Sequence, residues 1–148
     1  MSRDIRSVYS YYVLDIVHKG HLHYMQTAKA IAGEDGLSIV GILTDGAVME
    51  KKPRPTVSFQ ERLDLAAAIR FNDVVVPQET YSPLGNLRLL CPNVVLESSS
   101  HDKEDIRKIK AFMYSIHGMI FVIPYYSVQS STKIKELVRQ NKERKDYA

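Results

Sequence analysis

Apolar runs rich in β-branched and aromatic residues alternate along this chain with segments whose apolar residues recur at helical spacing. Because the connections between them are short, this alternation predicts a parallel sheet covered by helices on both faces. We therefore expect an α/β fold, a three-layer sandwich around a five-stranded parallel sheet. The predicted strands are Ser7–Leu14, Leu37–Leu43, Val74–Pro77, Val94–Glu97 and Met119–Ile123. The predicted helices are His21–Ala32, Ser58–Arg70, Asp102–Ser115 and Ser130–Arg144, with a single helical turn at Asn86–Leu90.

Length and composition bound the classes of function that remain. The 148 residues, 45% hydrophobic and 25% charged, fit one globular domain over 1–148 with a charged tail at 140–148. Cys91 is the one cysteine, which excludes an internal disulfide framework and a cysteine-rich zinc module. The net charge of +3 is mild, and the apolar runs are short for a membrane-spanning helix. We expect a cytoplasmic protein that binds a small anion, with neither a nucleic acid nor a membrane as partner.

The segments that follow the strands are where a ligand is expected, because parallel α/β sheets bind ligands at the carboxyl ends of their strands. His18-Lys19-Gly20-His21 follows the first strand and opens the first helix. A helix N-terminus offers free N–H donors and partial positive charge, and two imidazoles beside a phosphate can stabilise charge growing on its oxygens. This favours phosphate chemistry over the alternatives, a metal-binding pair or histidines that merely cap the helix.

A second polar cluster, Ser130-Ser131-Thr132-Lys133, stands at the start of the last predicted helix. Its hydroxyls can satisfy the free N–H groups of that helix, and with Lys133 they can also hold a triphosphate. Any capped helix could carry such a sequence, so the cluster is informative only together with the histidines near the other end of the chain. Lys52, in a Lys-Lys-Pro-Arg-Pro loop, is either a phosphate-binding residue or a solvated lysine.

The two clusters together resemble the nucleotidylyltransferase superfamily, whose hallmark is H-x-G-H. Within it they are similar to the cytidylyltransferases for phosphoalcohols, whose last helix begins with I-S-[ST]-T-[KR]. The resemblance implies a single Rossmann-like three-layer sandwich. It extends from about Ser7 to Leu137, and it is closer still to the cytidylyltransferase domain fused to phosphoenolpyruvate phosphomutase in phosphonate biosynthesis. The matching segments are Val40–Asp45, Lys52, Phe59–Arg62, Arg70–Thr80, Asn86–Arg88, Leu90–Pro92 and Pro124-Tyr125.

The resemblance implies a role for each matching residue. His18 and His21 would contact the triphosphate and stabilise the transition state at the α-phosphorus, and Lys52 would bridge the phosphates of nucleotide and acceptor. The β- and γ-phosphates would lie on Ser130, Ser131, Thr132 and Lys133. The other implied nucleotide-binding residues are Leu14, Asp15 and Gly20, and the residues implied for the acceptor or the framework are Arg62, Ser98, Ser99, His101 and Tyr125.

The sequence departs from the family pattern in three places. Val128-Gln129 replaces the Gly-Ile that precedes Ser-Ser-Thr, which changes the loop on the nucleotide side; these two residues lie outside those that the structure describes. Tyr12-Val13-Leu14-Asp15 stands where the family has G-x-F-D and keeps only the aspartate, so bulkier residues border that part of the site. Ser98-Ser99-Ser100-His101 stands where the family has G-D-D-W, whose acidic residues help to bind metal or acceptor. We expect His101 to be a surface helix cap rather than a ligand contact, with Asp102 supplying the N-cap or first-turn charge of its helix.

These residues predict Mg²⁺-dependent nucleotidyl transfer from CTP to a phosphonate or phosphoalcohol acceptor, with release of pyrophosphate. A phosphate monoester has its second pKa near 6, so the acceptor is largely an anion at pH 7 and needs no dedicated general base. Catalysis would then depend on positioning and on donors around the phosphorus. Two alternatives stay open: a nucleotide-binding module with reduced or lost catalysis, and a transferase that uses glycerol phosphate or ATP. The resemblance also implies a homodimer, and it leaves the metal ligands unknown.

Overall fold

Strands and helices alternate through the whole fold in the computed structural model, which describes residues 4–125 and 130–146. The strands are β1 Ser7–Tyr12, β2 Leu37–Leu43, β3 Val74–Gln78, β4 Val94–Ser98 and β5 Met119–Ile123. The helices are α1 Lys19–Ala32, α2 Asp45–Met49, α3 Phe59–Ala68, α4 Leu84–Leu90, α5 Lys103–Ser115 and α6 Ser131–Asp146. The five strands form one parallel sheet in the order β3-β2-β1-β4-β5, which confirms the predicted α/β, Rossmann-like fold.

The central strand β1 sits where the direction of chain progression across the sheet reverses. It pairs with β2 from Ser7 opposite Leu37 to Tyr12 opposite Ile42, and with β4 on its other edge. The chain first moves outward through β2 and β3 and then crosses back to β4. The loops after β1 and β4 therefore diverge to opposite faces of the sheet, which leaves a crevice at the carboxyl ends of these strands.

Successive residues of the central strands pack on opposite faces of the sheet, as the two-residue period of a strand requires. Val8 of β1 packs against α1 on one face, where Ala66 of α3 also lies. Tyr9 of β1 packs on the other face with Leu87 of α4 and Ile109 of α5. Full burial of one such aliphatic side chain contributes roughly 1.5–3 kcal/mol to the stability of the fold. Because β1 places buried side chains on both faces of the sheet, it helps to hold both helical layers.

Near the crevice the structure differs from the prediction in two element boundaries and one additional helix. β1 ends at Tyr12 and not at Leu14, because Leu14 has a φ of 61°, a left-handed conformation that ends a strand. α1 begins two residues earlier than predicted, with His18 as its N-cap. The segment predicted as a loop after β2 contains the short helix α2, which begins after Thr44 as N-cap. Five residues are too few for helical periodicity to reveal such a helix.

The last helix is longer than predicted and carries most of the charged tail. α6 extends to Asp146, and Lys142 and Glu143 near its end are exposed. α4 spans seven residues where a single turn was expected. Within the described residues, no helix combines the length and apolar character needed to cross a membrane.

Candidate active site

A cavity of about 730 Å³ opens at the carboxyl ends of β1 and β4, within the size range of small-molecule sites. It is bordered by the starts of α1 and α6 and by the loops after the strands. The predicted site residues that line it are Leu14, Asp15, His18, Gly20, His21, Lys52, Ser98, His101, Tyr125, Ser130, Ser131, Thr132 and Lys133. Arg62 and Ser99, also predicted, lie outside this lining.

The two histidines at the start of α1 stand side by side, with ring centroids 3.9 Å apart. His18 Nδ1 accepts a hydrogen bond from the backbone N–H of Gly20 at 3.0 Å, and His21 Nδ1 accepts one from the backbone N–H of His18 at 3.3 Å. The histidines therefore do cap the helix, as one alternative held. Because both Nδ1 atoms accept, each neutral ring carries its hydrogen on Nε2, which is left as a donor.

Burial keeps this pair of imidazoles uncharged. Burial first, and the neighbouring His18 second, lower the pKa of His21 to about 3. The pKa of His18 is also lowered by burial. At neutral pH the pair therefore offers two N–H donors at a helix N-terminus rather than two cations. Such donors can stabilise a developing oxyanion without themselves requiring a counter-ion.

The start of α6 meets the loop between β1 and α1 directly. Ser131 Oγ donates to the carbonyl of Ile16 at 2.9 Å, a contact between residues 115 positions apart. Ser130 Oγ accepts from the backbone N–H of Lys133 at 3.1 Å and so caps the first turn of α6. The N-termini of α1 and α6 thus border one cavity, and their dipoles both favour an anion there.

Asp15 joins three segments at the base of the cavity. Its Oδ1 accepts from the backbone N–H of Val57 at 2.8 Å, and its Oδ2 accepts from Lys135 Nζ. Burial alone would raise the pKa of Asp15, but the Lys135 and backbone hydrogen bonds outweigh it and lower that pKa. Lys135, which sequence reasoning missed, also lines the cavity. Its signal was its position four residues after Ser131, one turn further along the same face of the helix.

The structure separates two adjacent lysines that the sequence could not tell apart. Lys51 Nζ binds Asp105 of α5 at 3.0 Å and lies 4.9 Å from the ring centre of Tyr81. Lys52 lines the cavity instead. The Lys51–Asp105 pair thereby ties the loop that carries Lys52 to α5.

Arg62 belongs to the framework beneath the cavity. It is fully buried and donates to the carbonyls of Val13 at 2.6 Å and Leu43 at 2.7 Å, at the ends of β1 and β2. It also pairs with Asp45 at 2.8 Å and donates to the Val57 carbonyl at 3.1 Å. These contacts use its guanidinium to hold strand ends together, away from the cavity lining.

The serines after β4 are linked to the neighbouring elements. Ser98 Oγ accepts from Tyr24 OH at 3.2 Å and lies 2.8 Å from Ser100 Oγ. Ser99 Oγ accepts from the backbone N–H of Tyr125 at 2.9 Å. These hydrogen bonds connect the loop after β4 to α1 and to the end of β5.

The expectation that His101 caps a helix is wrong. Asp102 is the N-cap of α5, where its side chain accepts from the backbone N–H groups of Glu104 and Asp105. His101 Nδ1 instead lies 2.5 Å from Oε2 of the buried Glu97. Tyr11 OH donates to the same carboxylate, 2.7 Å from Oε1. Sequence reasoning missed both of these partners, and the available signal was a carboxylate at the end of the predicted strand Val94–Glu97.

No protein-based metal site was found in the described part of the chain, where no three His, Cys, Asp or Glu side chains converge. Among the described residues that line the cavity, Asp15 is the one carboxylate, and it already binds Lys135 and Val57. Mg²⁺ commonly uses few protein ligands and several phosphate oxygens. The donor set therefore fits Mg²⁺ that arrives on a triphosphate better than Mg²⁺ held by the protein.

Comparison of the amino-acid sequence with known proteins finds a matching family. The family model for cytidylyltransferase-like proteins matches residues 13–145, nearly the whole chain. FAD synthase from Pyrococcus abyssi is 30% identical over 132 residues, which make up 86% of this chain and 86% of that protein.

Two larger relatives match through only part of their length. Bifunctional protein HldE from Nitrosococcus oceani is 29% identical over 129 residues, and that from Helicobacter acinonychis is 35% identical over 95 residues. The matches cover 86% and 62% of this chain, but only 26% and 20% of the HldE proteins.

Among solved structures, the lipopolysaccharide core biosynthesis protein from Thermoplasma volcanium shares the fold. It matches with a TM-score of 0.69 and 17% sequence identity, over 84% of this chain and 99% of that one.

Proposed function

Because the chain belongs to the cytidylyltransferase-like family, we propose that it catalyses nucleotidyl transfer from a nucleoside triphosphate to a small acceptor bearing a phosphate or phosphonate. The observation that carries the proposal is the meeting of two helix starts in one cavity. His18 and His21 come from one, and the Ser130–Lys133 segment comes from the other. Such a site suits a polyphosphate, whose charge is spread over several oxygens along its length.

The proposed reaction is an in-line displacement at the α-phosphorus. An acceptor oxygen forms a new P–O bond while the bond to the bridging oxygen breaks, and the electron pair leaves with pyrophosphate. The Nε2–H groups of His18 and His21 donate to oxygens on which charge grows. Ser130–Lys133 hold the leaving phosphates, and Lys52 contacts both reactants from its loop. The acceptor enters largely as an anion, so the protein supplies no dedicated base.

Magnesium enters this proposal with the nucleotide. Mg²⁺ held by the triphosphate would neutralise part of its charge and would make pyrophosphate a better leaving group. The protein's share is then to bind and orient the phosphates through Ser130–Lys133 and the α1 N-terminus.

For the donor we propose CTP, and for the acceptor a phosphonate or phosphoalcohol, since the sequence resembles that branch most. ATP is the second candidate. It is favoured by the similarity to a FAD synthase over 86% of both chains, because FAD contains an adenine nucleotide.

One matrix experiment tests the proposal. CTP, ATP, GTP and UTP are each incubated with methylphosphonate, an aminoalkylphosphonate, glycerol phosphate or flavin mononucleotide, with Mg²⁺, and pyrophosphate is measured. We expect release that depends on both substrates, highest with CTP and a phosphonate. Highest release with ATP would favour the second candidate. Calorimetric binding of CTP without release in any pair would overturn the proposed catalysis and favour a binding module.

We also propose that the chain forms a homodimer. Support comes from exposed apolar side chains on β5 and α6, namely Phe121, Val122, Leu137 and Val138. Light scattering should give about twice the chain's 16.9 kDa. A monomer mass at micromolar concentration would overturn this part.

A further inference from the structure

We infer that His101 binds the acceptor's phosphate or phosphonate through its Nε2, and that Glu97 is the positioning residue that orients it. This inference rests on the proposed function and names the acceptor side of that site. Neither the G-D-D-W pattern nor the idea of a helix cap anticipated a carboxylate–imidazole pair at this position.

The orientation of His101 follows from its hydrogen bonds. Glu97 is 1% exposed, and its carboxylate oxygens can only accept. Tyr11 has a single hydroxyl hydrogen to donate, and its hydroxyl oxygen lies 2.7 Å and 2.9 Å from the two carboxylate oxygens. With Glu97 ionised, the hydrogen between Oε2 and His101 Nδ1, which lie 2.5 Å apart, is the one that Nδ1 carries and donates. A carboxylate that fixes the Nδ1–H of a histidine leaves Nε2 to meet a ligand.

The buried carboxylate of Glu97 would be costly without hydrogen-bond partners, and His101 is one of these partners. This hydrogen bond therefore also holds His101 in place. Its side chain is 35% exposed, and its ring stands 5.6 Å from that of Tyr11. Both residues line the cavity. The imidazole is thus held from one side and open to the cavity on the other.

The position of this pair argues for the acceptor rather than for the triphosphate. Tyr12 meets the ring of His21 on the α1 face of the sheet, whereas Tyr11 packs with Val95 and Ile109 on the α5 face. His101 thus enters the cavity from the face opposite the α1 histidines. In-line displacement requires the nucleophile and the leaving group on opposite sides of the phosphorus. If α1 and α6 hold the triphosphate, the acceptor lies on the α5 side.

The chemistry of Nε2 suits a phosphate or phosphonate. Near neutral pH such a group carries both O–H and O⁻ oxygens. It can therefore donate to a neutral Nε2 or accept from a protonated one. An alkyl portion of an acceptor offers no hydrogen bond to Nε2, and a neutral hydroxyl offers one that is not assisted by charge.

The test uses two variants that separate the two nitrogens of the ring. In His101→Asn the amide nitrogen replaces Nδ1 and can still donate to Glu97, but nothing replaces Nε2. In His101→Gln the amide reaches the Nε2 position and the bond to Glu97 is lost. A merely structural role predicts that His101→Asn behaves like the wild type and that His101→Gln is impaired. The inference predicts loss of acceptor binding in His101→Asn at unchanged melting temperature.

Binding is read by long-range ¹H–¹⁵N NMR of the imidazoles, with methylphosphonate as probe and CTP as comparison. His101 is assigned by the signal that is absent in His101→Asn. We expect methylphosphonate to shift Nε2 of His101 while Nδ1 keeps its hydrogen, and CTP to shift His18 and His21 instead. Glu97→Gln should weaken the methylphosphonate response at least tenfold. An unchanged His101 signal at millimolar methylphosphonate would overturn the inference.

This readout needs no turnover, so its failure is distinct from failure of the proposed function. Where the substrate matrix yields a working pair, His101→Asn should raise the KM of the acceptor at least tenfold and leave that of the nucleotide unchanged. An equal rise in both values would contradict an acceptor-side role. Absence of pyrophosphate release would remove the proposed function, while the NMR result would still decide whether His101 binds the anion.

Discussion

Two sides of one cavity use histidine in opposite ways. On the α1 side, His18 and His21 accept backbone N–H groups at Nδ1. On the α5 side, His101 donates from Nδ1 to a buried carboxylate. The first arrangement gives neutral rings with Nε2–H donors, and the second gives a ring oriented by a negative charge. The comparison teaches that the partner of one nitrogen, rather than the residue type, decides what a histidine can offer a ligand.

Replacing Arg62, the buried residue beneath both sides of the cavity, should cause the largest loss of stability. Arg62→Ala leaves the carbonyls of Val13 and Leu43 and the carboxylate of Asp45 without a buried donor. We expect a loss of about 3–5 kcal/mol in the free energy of unfolding, measured in urea. Arg54→Ala is the matched control, since Arg54 meets the same Asp45 at 3.5 Å with its side chain 74% exposed. It should cost less than about 1 kcal/mol.

If Arg62→Ala does not yield folded protein, Arg62→Lys is measured in its place. This variant keeps the positive charge but cannot make all the hydrogen bonds of the guanidinium. It should still be clearly less stable than the wild type. Equal stability of the Arg62 and Arg54 variants would show that the two sides of the cavity do not depend on this residue.

The α1 side should dominate turnover. His18→Ala or His21→Ala removes a donor to the developing charge and should lower kcat about 10²–10³-fold, as loss of one oxyanion donor does. His23→Ala is the control, because His23 lies on the same helix, is exposed and lies outside the cavity lining. Steady-state kinetics on the active pair measures the effect. Wild-type kcat in His18→Ala, with a large loss in His101→Asn, would reverse the assigned roles.

Local pattern was enough to predict most of the fold. β2 occupies the predicted residues Leu37–Leu43, and α3 begins one residue after its predicted start, because both elements follow from neighbouring residues. The left-handed Leu14 and the short α2 were not predictable, because neither leaves a periodic signal. The predicted order of strands and helices placed the starts of α1 and α6 at one sheet edge, and they do line one cavity.

The α5 side shows where sequence reasoning ended. Tyr11 and Glu97 are 86 positions apart, and His101 lies 90 positions from Tyr11. Their hydrogen bonds depend on the pairing of β1 with β4, which no local pattern encodes. His101 therefore looked like a polar residue before a helix, and Glu97 like the end of a strand.

Replacing Lys52, in the loop between the two sides, should have an intermediate effect on kcat/KM. Lys52→Ala removes a cation from the cavity and should lower kcat/KM about ten- to a hundredfold, the range of one charge-assisted hydrogen bond. Lys51→Ala, one residue away, removes the pair with Asp105 and the contact with the Tyr81 ring but no cation of the cavity lining, and should change kcat/KM far less. Kinetics with the acceptor varied at saturating nucleotide provides the measurement. Equal effects of the two variants would argue against a direct role for Lys52.

The last prediction concerns the pH dependence of stability, where the change expected per pH unit is the smallest of these effects. The folded-state pKa of His21 is lowered to about 3, whereas an unfolded histidine titrates near 6.5. Between these values the unfolded state binds more protons, so stability falls as the pH drops. His21→Asn keeps an acceptor but cannot titrate, so the slope between pH 6.5 and 4 should flatten by at most about 1.4 kcal/mol per pH unit. Parallel slopes in urea unfolding would contradict the neutral, buried ring.

The most direct test of the central claim is a crystal structure of the protein with Mg²⁺ and a non-hydrolysable CTP analogue. We predict density for the triphosphate between the imidazoles of α1 and the Ser130–Lys133 turn, with oxygens within hydrogen-bond distance of both. A nucleotide bound elsewhere, or phosphates that touch only one of these two helix starts, would contradict the account.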